Sequence, residues 1–148
     1  MFKEVKKQVV LAIPYLIVEN GKESIKLYKE LFGAKLIEHM PFTKEMGKQF
    51  GLPDDFDYEN STLHAELEIY DAKIMLTDNK TGETGGGNVE ILLQLDSKDQ
   101  NDSIYNKVKE KGFKIKMELE KTFWGAYFAR FEDSDGIGWQ LNFQEDPR

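Results

Sequence analysis

The stretch ENGKESIKLYKELFGAK, residues 19–35, reads as one helix with both of its ends written out. Asn20 offers a side-chain oxygen to the first free amides, and Glu23, three residues on, completes a capping box. Ile25, Tyr28, Leu31 and Phe32 recur at helical spacing and mark one apolar face. Gly33 sits where a left-handed residue ends a helix. Ahead of this segment, residues 9–18 are apolar and rich in β-formers. Behind it, AKLIEHMPF (34–42), STLHAELEIY (61–70) and AKIMLTD (72–78) read as strands, the last two separated by a turn at Asp71. The first half is therefore β-α-β-β-β.

The second half repeats that order. VEILLQL (89–95) is a strand, and Ser97 with Gln100 forms another capping box. Ile104 and Val108 mark a helical stripe that Gly112 ends. FKIKMEL (113–119), AYFARFE (126–132) and GWQLNF (138–143) alternate as half-buried strands, the last entered through the turn residues DSDG (133–136). Leu16 falls opposite Leu93 and Gly33 opposite Gly112, the second offset two residues longer than the first. NKTGETGGGN (79–88) between the halves has the composition of a flexible linker and lacks the phosphate-loop pattern. The chain thus reads as a single domain over 1–148, with module one at about 9–78, the linker at about 79–88 and module two at about 89–143.

Composition narrows the function classes. The chain has 148 residues, 40% hydrophobic and 32% charged, which suits one globular domain. There is no cysteine, which excludes disulfides, thiolate metal sites and a cysteine nucleophile, and fits a cytoplasmic location. A formal net charge of -7 argues against nucleic acid as a partner. The apolar run 9–18 is broken by Pro14, is too short to span a bilayer and lacks a signal-peptide cleavage site, so no membrane partner is expected. No glycine-rich dinucleotide fingerprint and no G-x-S-x-G elbow occurs.

IPYLIVENGKESIKLYKELFG (13–33), HAEL (64–67), IMLTDN (74–79) and WGAYFARFEDSDGIGWQL (124–141), in that order, resemble the vicinal oxygen chelate superfamily. This is the glyoxalase/bleomycin-resistance/dioxygenase fold, and the likeness is greatest to its PhnB-like branch. It covers about 9–143. The resemblance implies an α+β fold in which paired βαβββ modules form a curved half-barrel sheet, helices outside and a ligand cavity on the concave face. In metal-binding members each module supplies one ligand from its first strand and one from its last. Carried across, those positions are Ile13, Met75, Glu90 and Gln140.

A divalent metal needs three or four good donors. Isoleucine donates nothing, a thioether is poor, and only Glu90 is a strong ligand, with Gln140 a weak neutral one. No cofactor is expected at the standard site. A divalent metal would need a rearranged set: His64 and Glu66, which share a strand face at i and i+2, together with Glu90 and Gln140. His39 reads as a surface residue at a strand end.

Alternation from Ile13 places Ile13, Tyr15, Ile17, Met75, Thr77, Glu90, Leu92, Gln94, Gln140 and Asn142 along the cavity, with Trp124 able to stack on a planar ligand. Glu90 has two readings there. Desolvation could raise its pKa and prepare a catalytic base, or Gln140 or His64 could satisfy it by hydrogen bonding. Glu90 and Gln140 are expected within hydrogen-bonding or single-water reach. The insert at 44–60 is long for a hairpin and reads as a lid or as an arm to a second subunit. The expected protein binds a small organic molecule as a homodimer. The alternative is a metal-dependent enzyme of the glyoxalase or dioxygenase type (isomerase, lyase or ring-opening) using the rearranged His/Glu site. The residues leave open whether it is an enzyme, and which ligand it takes.

Overall fold

In the computed structural model the described residues are 11–79 and 89–145. The start of the expected first strand and most of the glycine-rich linker lie outside them. Module one comprises β1 (Tyr15–Val18), α1 (Gly21–Phe32), β2 (Lys35–Met40), the short α2 (Lys44–Gln49), β3 (His64–Ile69) and β4 (Ala72–Asp78). Module two comprises β5 (Glu90–Gln94), α3 (Lys98–Glu110), β6 (Lys114–Lys121), β7 (Ala126–Glu132) and β8 (Gly138–Gln144). The caps hold α1 and α3 as their sequences imply. Asn20 Oδ1 accepts from the Glu23 amide at 3.3 Å, Ser97 Oγ accepts from the Gln100 amide at 3.1 Å, and Gly33 closes α1 at φ 67°.

The strands form two four-stranded sheets, ordered β1-β4-β3-β2 and β5-β8-β7-β6. In each, the module's first and last strands pair in parallel and the other neighbours are antiparallel. The paired βαβββ fold is as expected. The eight strands, however, are divided between two sheets and do not run on as one. What joins the modules is side-chain packing on the helical side. The Trp139 ring of β8 lies 5.3 Å from Tyr28 and 4.7 Å from Phe32, both on α1.

Alternation decides which face is covered. Leu67, Ile74 and Leu76 in sheet one, and Ala129, Phe131, Trp139 and Leu141 in sheet two, are buried. With Tyr28 and Leu31 of α1 and Ile104 and Val108 of α3 they make one core drawn from both modules. Burying a side chain of this size contributes about 1.5–3 kcal/mol.

The turn before β8 fastens this joint. Asp133 Oδ2 accepts from the Tyr28 hydroxyl at 2.7 Å and the Trp139 indole at 3.0 Å, while Oδ1 accepts from the amides of Asp135 and Ile137. Burial pushes both the Asp133 carboxyl and the Tyr28 hydroxyl above their ordinary values. Asp135 reaches further, accepting from the Glu19 amide at 2.9 Å and Ser24 Oγ at 3.0 Å at the start of α1. Gly136, at φ 77°, supplies the left-handed residue that the turn needs.

The 44–60 insert packs on itself. Phe42 is buried, with Phe50 and Phe56 edge-on to it at 5.8 and 6.3 Å, and Phe56 in turn meets Tyr58 at 4.9 Å. Tyr58 closes over Gly47, where a larger residue would collide with its ring. His39 differs from its expected place at the surface. It is half-buried within β2, its Nε2 is 2.9 Å from Oγ1 of the buried Thr62, and burial lowers its pKa. No helix among the described residues is long and apolar enough to cross a membrane.

Candidate functional site

Each sheet has a face without a helix. On sheet one it carries Tyr15 and Ile17 of β1, Met75 and Thr77 of β4, and His64 and Glu66 of β3. The register sets Tyr15 beside Met75 and Met75 beside Glu66. Tyr15 is 50% exposed and Ile17 45%. The Tyr15 hydroxyl lies 3.1 Å from His64 Nδ1, and Glu66 pairs with Lys73 at 3.6 Å. Ile13, just ahead of β1, lines a groove of about 720 Å³ with Glu66 and Ile37.

Sheet two presents three rows on its open face, fixed by the ladders. Glu90, Gly138 and Glu132 make the first, Leu92, Gln140, Arg130 and Met117 the second, and Gln94, Asn142 and Phe128 the third. Glu90 is the centre of the polar contacts. Its side chain leaves β5, passes over Gly138 of β8 and meets groups from three strands. Arg130 grips it side-on, Nε to Oε1 and Nη2 to Oε2, both at 2.8 Å. Lys116 Nζ donates to Oε2 at 3.0 Å and also pairs with Glu132 at 3.0 Å. Gln140 Nε2 donates to Oε1 at 2.9 Å.

Gly138 is required for this path. A Cβ built on it would lie 2.7 Å from Glu90 Cγ, a distance that real Cβ atoms do not adopt. Lys116 reaches the cluster from β6, where the ladder slips between Ile115 and Met117.

Of the two readings of Glu90, these contacts favour hydrogen-bonded satisfaction, by Gln140 and not His64, over a pKa raised by desolvation. The side chain is only 8% exposed, yet its pKa falls to about 2. The Arg130 hydrogen bonds are the largest cause and outweigh desolvation, with Gln140 and Lys116 adding to them. A carboxylate held this far down is a poor proton acceptor near neutrality, so its geometry gives the catalytic-base reading no support.

The expected contact between Glu90 and Gln140 is present. The rearranged set is not assembled within one chain. His64 turns to Tyr15, Glu66 to Lys73, and Glu90 to Arg130 and Lys116. Among the described residues no three His, Asp or Glu side chains stand close enough to hold a metal ion. At the positions implied for the standard site, Ile13 and Met75 bring no useful donor, and the oxygens of Glu90 are engaged by the chain's own cations. This donor set does not suit a divalent metal.

Asn142 shares the open face and donates to Gln94 Oε1 at 2.8 Å. Trp124 stands apart, at the tip of the β6–β7 hairpin, edge-on to Phe123 at 4.8 Å, with its carbonyl accepting from Gln144. Gly125 beside it is required by its φ of 88° in that turn. Arg130 and Lys116 are the residues that sequence reasoning passed over. Alternation within AYFARFE and FKIKMEL puts them on polar faces, but only strand pairing shows that they meet Glu90.

A family model described as Glyoxalase/Bleomycin resistance protein/Dioxygenase superfamily matches residues 8–141. The protein YjdN of Escherichia coli (strain K12) is 25% identical over 137 residues, spanning 87% of this chain and 92% of that protein. Among solved structures, PA1353 from Pseudomonas aeruginosa is 30% identical, with a TM-score of 0.73 over 93% of this chain and all of its own. A PhnB protein from Bacillus cereus is 16% identical, with a TM-score of 0.70 over 92% of this chain and 99% of its own. The last likeness is one of fold.

Proposed function

This chain belongs to the glyoxalase/bleomycin resistance/dioxygenase superfamily, and we propose that it binds a small organic molecule on its open sheet faces without a metal. The observation that carries this reading is the state of Glu90. The one strong ligand at the implied metal positions is held by Arg130, Lys116 and Gln140, so protein cations occupy the electrostatic role that a metal would fill.

The remaining surface suits an organic ligand. Tyr15 and Ile17 on sheet one, and Leu92 beside the amides of Gln94, Gln140 and Asn142 on sheet two, stand close to half exposed. Apolar walls with a few placed polar groups are the usual make-up of a ligand site. Open apolar faces of this kind are normally covered, and a second copy of the chain is the proposed cover. Phe50, on the outer side of the insert, is then available for contact with that copy. The absence of cysteine suits a cytoplasmic setting.

The test pairs metal titration with mass measurement. Manganese, zinc, nickel, cobalt or iron(II) should leave the melting temperature unchanged, and light scattering should give about twice 17.1 kDa. A bound metal at a hundredfold excess over its Kd would add about 3 kcal/mol and be plain in the melt. A shift of several degrees that His64→Ala abolishes would overturn the metal-free reading in favour of the His/Glu enzyme site.

A further inference from the structure

We propose that Arg130 is the ligand anchor of the open face, and that it takes the carboxylate of a monoanionic organic acid. This deepens the small-molecule reading above and rests on it. The argument starts from which edge of the guanidinium is used. Arg130 spends Nε and Nη2 on Glu90, the side-on edge. Its Nη1 has no acceptor among the described residues, it is not a buried atom, and the side chain is 33% exposed. The end-on edge, Nη1 with the second Nη2 hydrogen, is therefore a planar two-donor fork left over on a partly exposed side chain. That fork matches a carboxylate in geometry.

Glu90 acts as the positioning residue. Its two bonds fix the plane of the guanidinium, and it cannot itself move because Gly138 lies beneath it and Lys116 and Gln140 hold it from the other sides. A fork fixed in advance loses little freedom on binding.

Charge selects among anions. Glu90 and Glu132 are balanced by Arg130 and Lys116, so the cluster is formally neutral. A bound carboxylate leaves it with one net negative charge and a doubly charged phosphate with two, so the monoanion is the less opposed of the two.

The same row selects the rest of the ligand. Leu92, Gln140, Arg130 and Met117 lie side by side across four strands, and both ends of the row are exposed apolar side chains. Gln140 gives its Nε2 to Glu90, which leaves its carbonyl oxygen for a ligand donor. An acid with an apolar body lying along Leu92 or Met117 satisfies the fork and the apolar ends of the row, and a hydroxyl or amide on that body would add a bond to Gln140.

The experiment uses benzoate and hexanoate as probes, with benzyl alcohol and hexanol as their neutral counterparts, and follows the Arg130 Nε–H resonance of the ¹⁵N-labelled full chain. Both acids should shift that resonance saturably with a Kd on the order of millimolar, and the alcohols should not. Arg130→Lys keeps the charge and loses the fork, so affinity for the acids should fall about tenfold. That variant also loosens Glu90, so Leu92→Glu serves as the second. It leaves the Arg130–Glu90 pair intact, sets a like charge beside the proposed site, and should weaken both acids several-fold. Absence of a saturable Arg130 shift with either acid overturns the proposal, as does undiminished acid binding in Arg130→Lys. If the probes perturb Leu92 or Asn142 amides and not Arg130, ligand binding stands and the anchor falls. If no open-face resonance responds to any probe, the small-molecule reading falls with it.

Discussion

Glu90 runs across β8 directly over Gly138, so close that a Cβ on that glycine would lie 2.7 Å from the glutamate Cγ. The glycine is there to let a carboxylate from one strand reach cations two and three strands away. Gly138→Ala should therefore destabilise the chain by about 1–3 kcal/mol, the usual cost of an added methyl in a filled space. Urea unfolding measures it. An unchanged midpoint would show that Glu90 has another route.

The Glu90–Arg130 pair should show strong coupling. Arg130→Met leaves a nearly buried carboxylate with Lys116 as its one cation, at a cost of about 2–3 kcal/mol, somewhat below that of breaking a fully buried pair. Glu90→Leu in that background removes the stranded charge and should recover a large part. A double-mutant cycle with coupling near zero would make the fork an incidental surface contact.

Acid should expose the same group. Glu90 is depressed to about 2 in the folded chain, below the ordinary range near 4 of an unfolded glutamate. A depressed carboxylate lends stability that is fully present above the unfolded pKa and is lost as pH falls toward the folded one. Unfolding midpoints should drop between about pH 5 and pH 2, and Glu90→Gln should flatten that part of the curve. Equal slopes in both proteins would place the acid sensitivity elsewhere.

Gln140→Glu reverses the sign. A second carboxylate would stand where the amide now donates to Glu90 at 2.9 Å, and the pair would resist full ionisation. The variant should be less stable than the parent at pH 7 by about 1–2 kcal/mol, with Arg130 and Lys116 offsetting part of the repulsion, and should recover as pH falls to about 4. A stability profile matching that of the parent would mean that the two side chains are not neighbours in solution.

The joint between the modules should depend on one hydroxyl. Tyr28→Phe removes the 2.7 Å bond to buried Asp133 and leaves the Trp139 indole and two amides to satisfy it. A loss of about 1–3 kcal/mol is expected, with faster hydrogen exchange in α1 and in the 133–137 turn together. Loss confined to α1 would mean that the turn does not hold the modules.

Local chemistry alone determined a great deal here. Caps at Asn20 and Ser97, glycines at 33 and 112, strict alternation in β6 and the alternation of β7 and β8 each depend on near neighbours in the chain, and the doubled βαβββ order follows from them. The likeness of the two halves was readable in the same way, whereas the ligand positions at Ile13 and Met75 and the closeness of Glu90 and Gln140 came from the resemblance to the superfamily. Alternation states which face a side chain takes, and nothing about which strand lies beside it. Arg130 is 40 residues from Glu90 and Lys116 is 26 away, so their meeting depends on strand order and on a slip in the β6 ladder. That meeting decided between the two readings of Glu90, lowering its pKa where desolvation alone would have raised it. The division into two sheets was likewise a tertiary outcome: Trp139, Tyr28 and Asp133 pack one module on the other through side chains, and no backbone ladder carries such a contact in its periodicity.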